Sequence, residues 1–349
     1  MGDVIGSQEG MNREHVVEQV MARLAERVRG GDAGTSPRQR SALRQSIATW
    51  LFFLDLALRE EDIAPFVQGA RQVASVLRGF GLPPNEVESS LEDCRREVVE
   101  RIPRGSRKLA KACFEGGHVE LWRPTPEGRG ADPLLPMATE FLEHLLHGRT
   151  QAATVLVNRA VQDGAILSSL FLGVFQPCLR EVGRRWQAGS VTVGQEHFCT
   201  AAVQRIVSHL YATAFSGVSR IGKRVVAVSA PGELHEVGLR AVCDFLEMDG
   251  WDSYYMGANV PVESVVDGLR QPPADLLLVS TTIVIHLPGT QSIIEAVRAS
   301  AAGSAAILLG GVAMNANLGI WRSMGADGVA EDAATVVAQA RRLVGMSGA

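Results

Sequence analysis

The sequence predicts α/β plus all-α architecture. Helical domains come first, and a five-stranded parallel doubly wound (flavodoxin-like) sheet closes the chain. Three observations lead there. Apolar residues recur at i, i+3 and i+4 between residues 40 and 215. Pro and Gly crowd Trp122 to Pro133 and split that helical stretch in two. After Gly217 the period changes to short β-branched runs alternating with helical ones.

The elements follow in order. Residues 1–39 are rich in Gly, Ser and charge and are expected to be a mobile N-terminal segment, with a short helix in HVVEQVMARLAERV. ALRQSIATWLFFLDLAL and EDIAPFVQGARQVASVLRGFG are helical, the second stopped by Gly79, Gly81, Pro83 and Pro84. PNEVESSLEDCRREVVERI adds another helix, so residues 40–132 are read as a helical domain and linker. Segments 134–147, 150–164, 166–186 and 193–215 have short connections, which predicts a four-helix bundle over 133–218. The domain 219–349 is expected to hold five strands: RVVAVSA, WDSYYM, DLLLVSTT, AAILLGG and DGVA. Ligands in such folds bind at the carboxyl ends of strands, so the loops after them are the places to look.

Composition narrows the function classes. At 46% hydrophobic and 21% charged residues, a chain of 349 can bury a sizeable core and is no disordered polyelectrolyte. A net charge of −4 gives no global attraction to nucleic acid or anionic membrane. The five cysteines (Cys94, Cys113, Cys178, Cys199, Cys243) form no C-x-x-C pair, against a zinc or dithiol site of that kind. No signal-like h-region opens the sequence and no run of eighteen apolar residues occurs. The expected compartment is the cytoplasm, with no membrane partner.

The loop after the first strand runs from Ala230 to Gly238 and contains Glu233, His235 and Gly238 as E-x-H-x-x-G. Glu233 stands close enough to accept a proton from one ring nitrogen of His235, which frees the other as a metal ligand. Gly238 lets a bulky planar ligand approach the backbone. These residues alone fit a surface His at a helix N-terminus equally well. The third strand ends in Ser280-Thr281-Thr282 and the fourth in Gly310-Gly311; either could be ordinary strand-end chemistry.

In that order, E-x-H-x-x-G, S-x-T and, after 27 intervening residues, G-G resemble the cobalamin-binding domain of methionine synthase, the cobalamin mutases and the corrinoid carrier proteins. The resemblance implies that His235 is the lower cobalt ligand, oriented by Glu233. It places Ser280 near a buried nucleotide tail for which Gly310 and Gly311 make room, and makes Thr282 a further cofactor-binding residue. The loop from Met256 to Pro261 is similar as well.

The preceding block reads REVGRRWQAGSVTVGQEHF, with nine residues between Trp186 and Glu196-His197. W-x9-E-H ahead of a cobalamin domain resembles the light-sensing cobalamin proteins typified by the photosensory repressors of carotenoid genes. That implies adenosylcobalamin as cofactor, with cobalt its metal. Trp186 would cover the adenosyl face, and Val193, Glu196 and His197 would line the same pocket. A broad indole can exclude water there, while Glu and His contact ribose and adenine. The implied role is a light sensor and not an enzyme: loss of adenosyl changes domain packing and a homo-oligomer, read by a downstream signalling protein. The alternative is a corrinoid carrier for a methyltransferase system.

Two departures matter. Those repressors carry a His directly after the Trp, where this chain has Gln187, so a bis-histidine photoproduct through that position is impossible. They also carry a DNA-binding winged helix, whose strand-rich wing residues 40–115 lack, so direct DNA binding is not expected. The cluster Arg101, Arg104, Arg107, Lys108 and Lys111 reads as a basic, solvated helix end or as a phosphate contact. A helical front on such a module resembles, more loosely, the photocobilins, which also hold biliverdin. For that, Trp50–Phe53 would supply an apolar slot and the basic cluster the propionate partners. No attachment motif surrounds Cys94 or Cys113, so a bilin would bind non-covalently.

Overall fold

The computed structural model describes residues 13–29, 35–123, 134–187, 189–214, 217–316 and 319–346. Its contacts divide the chain into two units, Met1–Glu127 with Thr282–Ser292, and Gly128–Thr281 with Ile293–Ala349.

The first unit is helical among its described residues: α1 (Arg13–Arg29), α2 (Pro37–Glu60), α3 (Ala64–Gly79), α4 (Pro84–Val99) and α5 (Arg107–Glu120). A capping box starts α2: Ser36 Oγ accepts from the Gln39 backbone N–H, and Gln39 Oε1 accepts from that of Ser36. Residues 13–29 correct the expectation of a mobile lead. Val16, Val17, Val20 and Leu24 form a buried stripe at helical spacing, so α1 is a working part of this unit. Asp55, fully buried on α2, is neutralised by Arg59 at 2.7 Å and by Arg13 of α1 at 3.3 Å.

Trp50, Leu51, Phe52 and Phe53 are at most 1% exposed. Phe52 and Phe53 meet edge to face at 5.3 Å, and a Cβ on Gly69 of α3 would sit 2.2 Å from the Phe53 ring. This segment is therefore close-packed core, not an apolar slot. The unit also takes in Thr282–Ser292, from the loop after the third strand. There the Thr49 hydroxyl reaches the Ile285 carbonyl at 3.2 Å inside the core, and His286 is buried.

The second unit begins with α6 (Pro136–Leu146) and α7 (Thr150–Gln162). A continuous rod follows: α8 (Leu167–Leu170), a wider π-helical turn (Phe171–Phe175) and α9 (Gln176–Gln187); then comes α10 (Val193–Ala214). These four helical segments share one core that includes Phe141, Leu142, Phe171, Phe175, Val203 and Ile206. The same core takes in Phe245, whose ring meets Phe171 edge to face at 5.9 Å.

The sheet follows as β1 (Arg224–Ser229), α11 (Val237–Met248), β2 (Asp252–Gly257), α12 (Val262–Gly268), β3 (Leu276–Ser280), α13 (Leu287–Ala299), β4 (Ala306–Gly310), α14 (Val312–Asn315), α15 (Ile320–Ser323), β5 (Gly328–Val329) and α16 (Val336–Leu343). All strands are parallel, in the order β2-β1-β3-β4-β5. The order reverses between β1 and β3, which makes their carboxyl ends the topological switch point where such sheets open a crevice. Side chains alternate along each strand. Val225 and Ala227 of β1, Leu276 and Leu278 of β3 and Leu308 of β4 share a core with Leu239 of α11 and Val336 and Ala340 of α16. No helix among the described residues is long and apolar enough to cross a membrane.

Candidate functional site

The site begins where β1 ends. The chain leaves Ser229, turns through Ala230 to Glu236 and enters α11 at Val237, which places His235 beside the switch point. Glu233 is fully buried. Its Oε1 lies 2.5 Å from His235 Nδ1 and also accepts from the backbone N–H of Leu234 (3.1 Å) and His235 (3.2 Å). A carboxylate accepts, so Nδ1 carries the proton and Nε2 is left with its lone pair. The hydrogen bond to Glu233 holds the His235 pKa above its ordinary value; burial opposes it, and the Glu233 and Glu196 charges reinforce it. The ring itself is 57% exposed, so Nε2 can meet a ligand. This is the orienting arrangement of a metal-binding His. Among the described residues no three His, Cys, Asp or Glu side chains gather into a group that could hold a metal ion.

The next strand ends form a row. Register pairs Ser229 of β1 with Ser280 of β3, and Ser280 with Gly310 of β4. All three point to the face that carries Ala227, Leu278 and Leu308, because each stands two residues on. A Cβ on Gly310 would find only the Ala330 carbonyl, at 3.6 Å, and one on Gly238 would find nothing within 4 Å. Both glycines therefore leave room. Gly311 does something else: its φ is +98° and a Cβ there would stand 2.3 Å from the Thr281 carbonyl oxygen, so it lets β4 exit against β3. Thr282 opens the segment that folds with the first unit, so Ser280 is the member of S-x-T that stands in the row.

The second part of the site comes from the helices. Trp186 lies in the last turn of α9, which stops at Gly189 (φ +73°) with N–H bonds from Gly189 to the Trp186 carbonyl and from Ser190 to that of Arg185, both 2.9 Å. Thr192 then caps α10: its Oγ1 accepts from the Gln195 N–H at 3.2 Å, and Gln195 Oε1 accepts from the Thr192 N–H at 3.0 Å. These caps set Trp186, Val193, Glu196 and His197 on either side of one tight connection. Trp186 is 37% exposed and Val193 46% exposed, unusual for large apolar side chains at the ends of packed helices. Glu196 bonds to His197 Nδ1 at 2.5 Å and accepts from the Thr200 hydroxyl at 3.0 Å. Its charge also helps, as the smallest contribution, to hold the His235 pKa up.

Sequence reasoning passed over three residues. Leu234 is 73% exposed and Val312, directly after Gly311, is 55% exposed; each adds apolar surface beside a motif. Ser229 ends β1 directly beside Ser280, a pairing that depends on the register of the two strands. The residues fit a corrinoid: one oriented His with a free nitrogen, exposed apolar side chains to cover a broad ring, and a row of small strand-end residues with room beside it. Of the basic cluster, Arg101 pairs with Glu97 and Arg107 with Glu100, while Arg104, Lys108 and Lys111 are exposed. All five cysteines are free and buried; burial pushes Cys113 up to about 12 and Cys94 well above its usual range, which leaves neither as a ready nucleophile.

Comparison with known proteins gives the same reading. Residues 137–211 match one family described as B12 binding domain, and residues 223–340 match a second with that description. The chain is 27% identical over 131 residues to dimethylamine corrinoid protein 1 of Methanosarcina acetivorans, covering 37% of this chain and 60% of that one. It is 32% identical over 165 residues to the HTH-type transcriptional repressor CarH of Myxococcus xanthus, covering 45% of this chain and 52% of that one. The chain thus spans little more than half the length of these two relatives. Among solved structures, the monomethylamine corrinoid protein of Methanosarcina barkeri has the same fold, with a TM-score of 0.54 at 17% identity over 59% of this chain and 98% of that one. With two B12 binding domains over more than half of its length, the chain belongs to the cobalamin-binding proteins.

Proposed function

We propose that this protein is a cobalamin-dependent light sensor that uses adenosylcobalamin. The observation that carries the reading is an exposed Trp186 and Glu196 on either side of the α9–α10 connection, in a chain whose β1 loop holds His235 oriented by buried Glu233. The W-x9-E-H spacing and the 32% identity to the repressor CarH support it. Bound adenosylcobalamin supplies a cobalt–carbon bond that light breaks. His235 holds the cofactor from the β1 loop, with Glu233 fixing its tautomer. Trp186 excludes water from the adenosyl side, and Glu196 and His197 provide polar contacts to the sugar and base. Emptying the space beside Trp186 leaves an apolar surface uncovered, which biases the four helical segments against the sheet and alters self-association. Position 187 cannot serve as a ligand in the light state, because Gln187 has no imidazole.

The protein acts in this reading as a cytoplasmic signalling component without catalysis. Its first unit, helical among the described residues, is a docking or dimerisation module and makes no direct DNA contact. Biliverdin is not included: the aromatic stretch that would have housed it is filled core.

A second reading, a corrinoid carrier for a methyltransferase system, is favoured by the match to the dimethylamine corrinoid protein. Competitive titration separates the two. A light sensor built around Trp186 binds adenosylcobalamin more tightly than methylcobalamin. A carrier shows no such preference and exchanges its methyl group with a partner enzyme.

A further inference from the structure

We propose that the cavity between α10 and α11 is a second ligand site, which binds a small amino acid as its zwitterion, with Asp244 taking the ammonium and Arg240 the carboxylate. This goes beyond the cobalamin reading and does not depend on it.

Val207, Ser208 and Tyr211 of α10 and Arg240 and Asp244 of α11 line a cavity of about 190 Å³. One water needs about 10–15 Å³, so the space admits a ligand of several non-hydrogen atoms. Asp244 is the buried end of the site and makes no hydrogen bond or ion pair among the described residues. A carboxylate taken out of water without a partner is costly, so one that lines a cavity calls for a cation there. Burial raises its pKa to about 6, the direction expected of such a group, and above that value it is ionised.

Arg240 is the solvent-facing end. It stands one helical turn before Asp244, a spacing at which opposite charges usually meet, yet the two do not pair. The guanidinium lies instead over the Tyr255 ring, 5.7 Å from its centroid. Tyr255 is itself held, since its hydroxyl donates to Glu236 at 3.1 Å. The contact with the ring positions Arg240 and leaves its N–H groups without a hydrogen bond among the described residues. Ser208 donates to the Gln204 carbonyl at 2.8 Å, so its oxygen can still accept. Tyr211 donates to Glu247, and Val207 supplies an apolar wall.

The cavity thus offers an anion and a cation about one turn apart, with a hydroxyl acceptor beside them. A simple ion would satisfy one charge and be repelled by the other. A compact zwitterion, with ammonium and carboxylate on one carbon, answers both, and its carboxylate suits the guanidinium fork.

The test titrates the full chain at pH 8 by calorimetry with glycine and L-alanine, and with methylammonium and acetate, which carry one charge each. The two amino acids are expected to bind saturably, and the single-charge probes at least about tenfold more weakly, the size of one lost charge-assisted hydrogen bond. Asp244→Asn and Arg240→Gln are each expected to weaken L-alanine by about tenfold or more. A cooperative melt shows that a variant is folded. Arg240 is exposed, so its variant carries the test alone should Asp244→Asn fail to fold. No saturable binding of either amino acid to the wild type overturns the inference and leaves a hydrated cleft. Methylammonium binding as tightly as glycine, or an unchanged L-alanine affinity in Arg240→Gln, overturns it too.

Discussion

The imidazole of His235 and the carboxylate of Glu233 meet at 2.5 Å, with Glu233 fully buried and His235 more than half exposed. The acceptor is locked by two backbone N–H bonds before any ligand arrives, so the ring's orientation is prepaid by the fold. Glu233→Gln should leave His235 in place but weaken its basicity. We expect a loss of about 10- to 100-fold in cobalamin affinity, as for other residues that orient a metal-binding His. His235→Ala should also remove the spectral shift that accompanies binding. Absorbance titration checks both, and an unchanged spectrum for His235→Ala would rule the ligand out.

Trp186→Ala should narrow the preference for adenosylcobalamin over methylcobalamin and leave the fold intact, because the indole is already 37% exposed. Equal ratios in variant and wild type would make Trp186 a structural residue only.

The two adjacent glycines should part company. Gly311→Ala forces a Cβ against the Thr281 carbonyl at a φ of +98°, and should cost more than about 1 kcal/mol of stability. Gly310→Ala meets nothing closer than 3.6 Å, so it should melt near wild type while losing cobalamin affinity. Thermal melts paired with cofactor titrations would show the split; equal destabilisation by both would deny it.

Asp244 of α11 is 5% exposed, and burial raises its pKa to about 6; Arg240 pulls it down and Glu247 pushes it up. A carboxyl raised in the folded state contributes stability that is fully present below its unfolded value of about 4 and is lost as pH rises through about 6. Asp244→Asn should remove that slope and be more stable than wild type at pH 8 by roughly 1–3 kcal/mol. Melts between pH 4 and pH 8 would decide it, and parallel curves would contradict it.

Much of the sheet and its site was legible because both rest on local signals. Short β-branched runs predict strands, and the spacing from Glu233 to Gly238 puts a carboxylate under a His at a strand end whatever the rest of the chain does. What escaped was non-local. The helix of α1 is legible, but its packing is not, because the Gly-rich flanks outweigh the stripe of Val16, Val17, Val20 and Leu24. Nothing in Thr282–Ser292 announces that it folds with helices more than 200 residues earlier, since the Thr49–Ile285 hydrogen bond depends on tertiary packing. Trp50–Phe53 looked like a binding slot because aromatic residues line slots and cores alike, and burial alone tells them apart. The influence of Glu196 on His235 likewise needs both segments in place.

In the light-sensor reading, light acting on the cofactor changes how copies of this chain associate. The direct measurement is the molar mass of the adenosylcobalamin-loaded protein by light scattering, in the dark and after green light, with Trp186→Ala run alongside. The mass of the wild type is expected to change on illumination, and that of the variant to change less or not at all. Identical masses before and after complete photolysis, with the cofactor still bound, would contradict it.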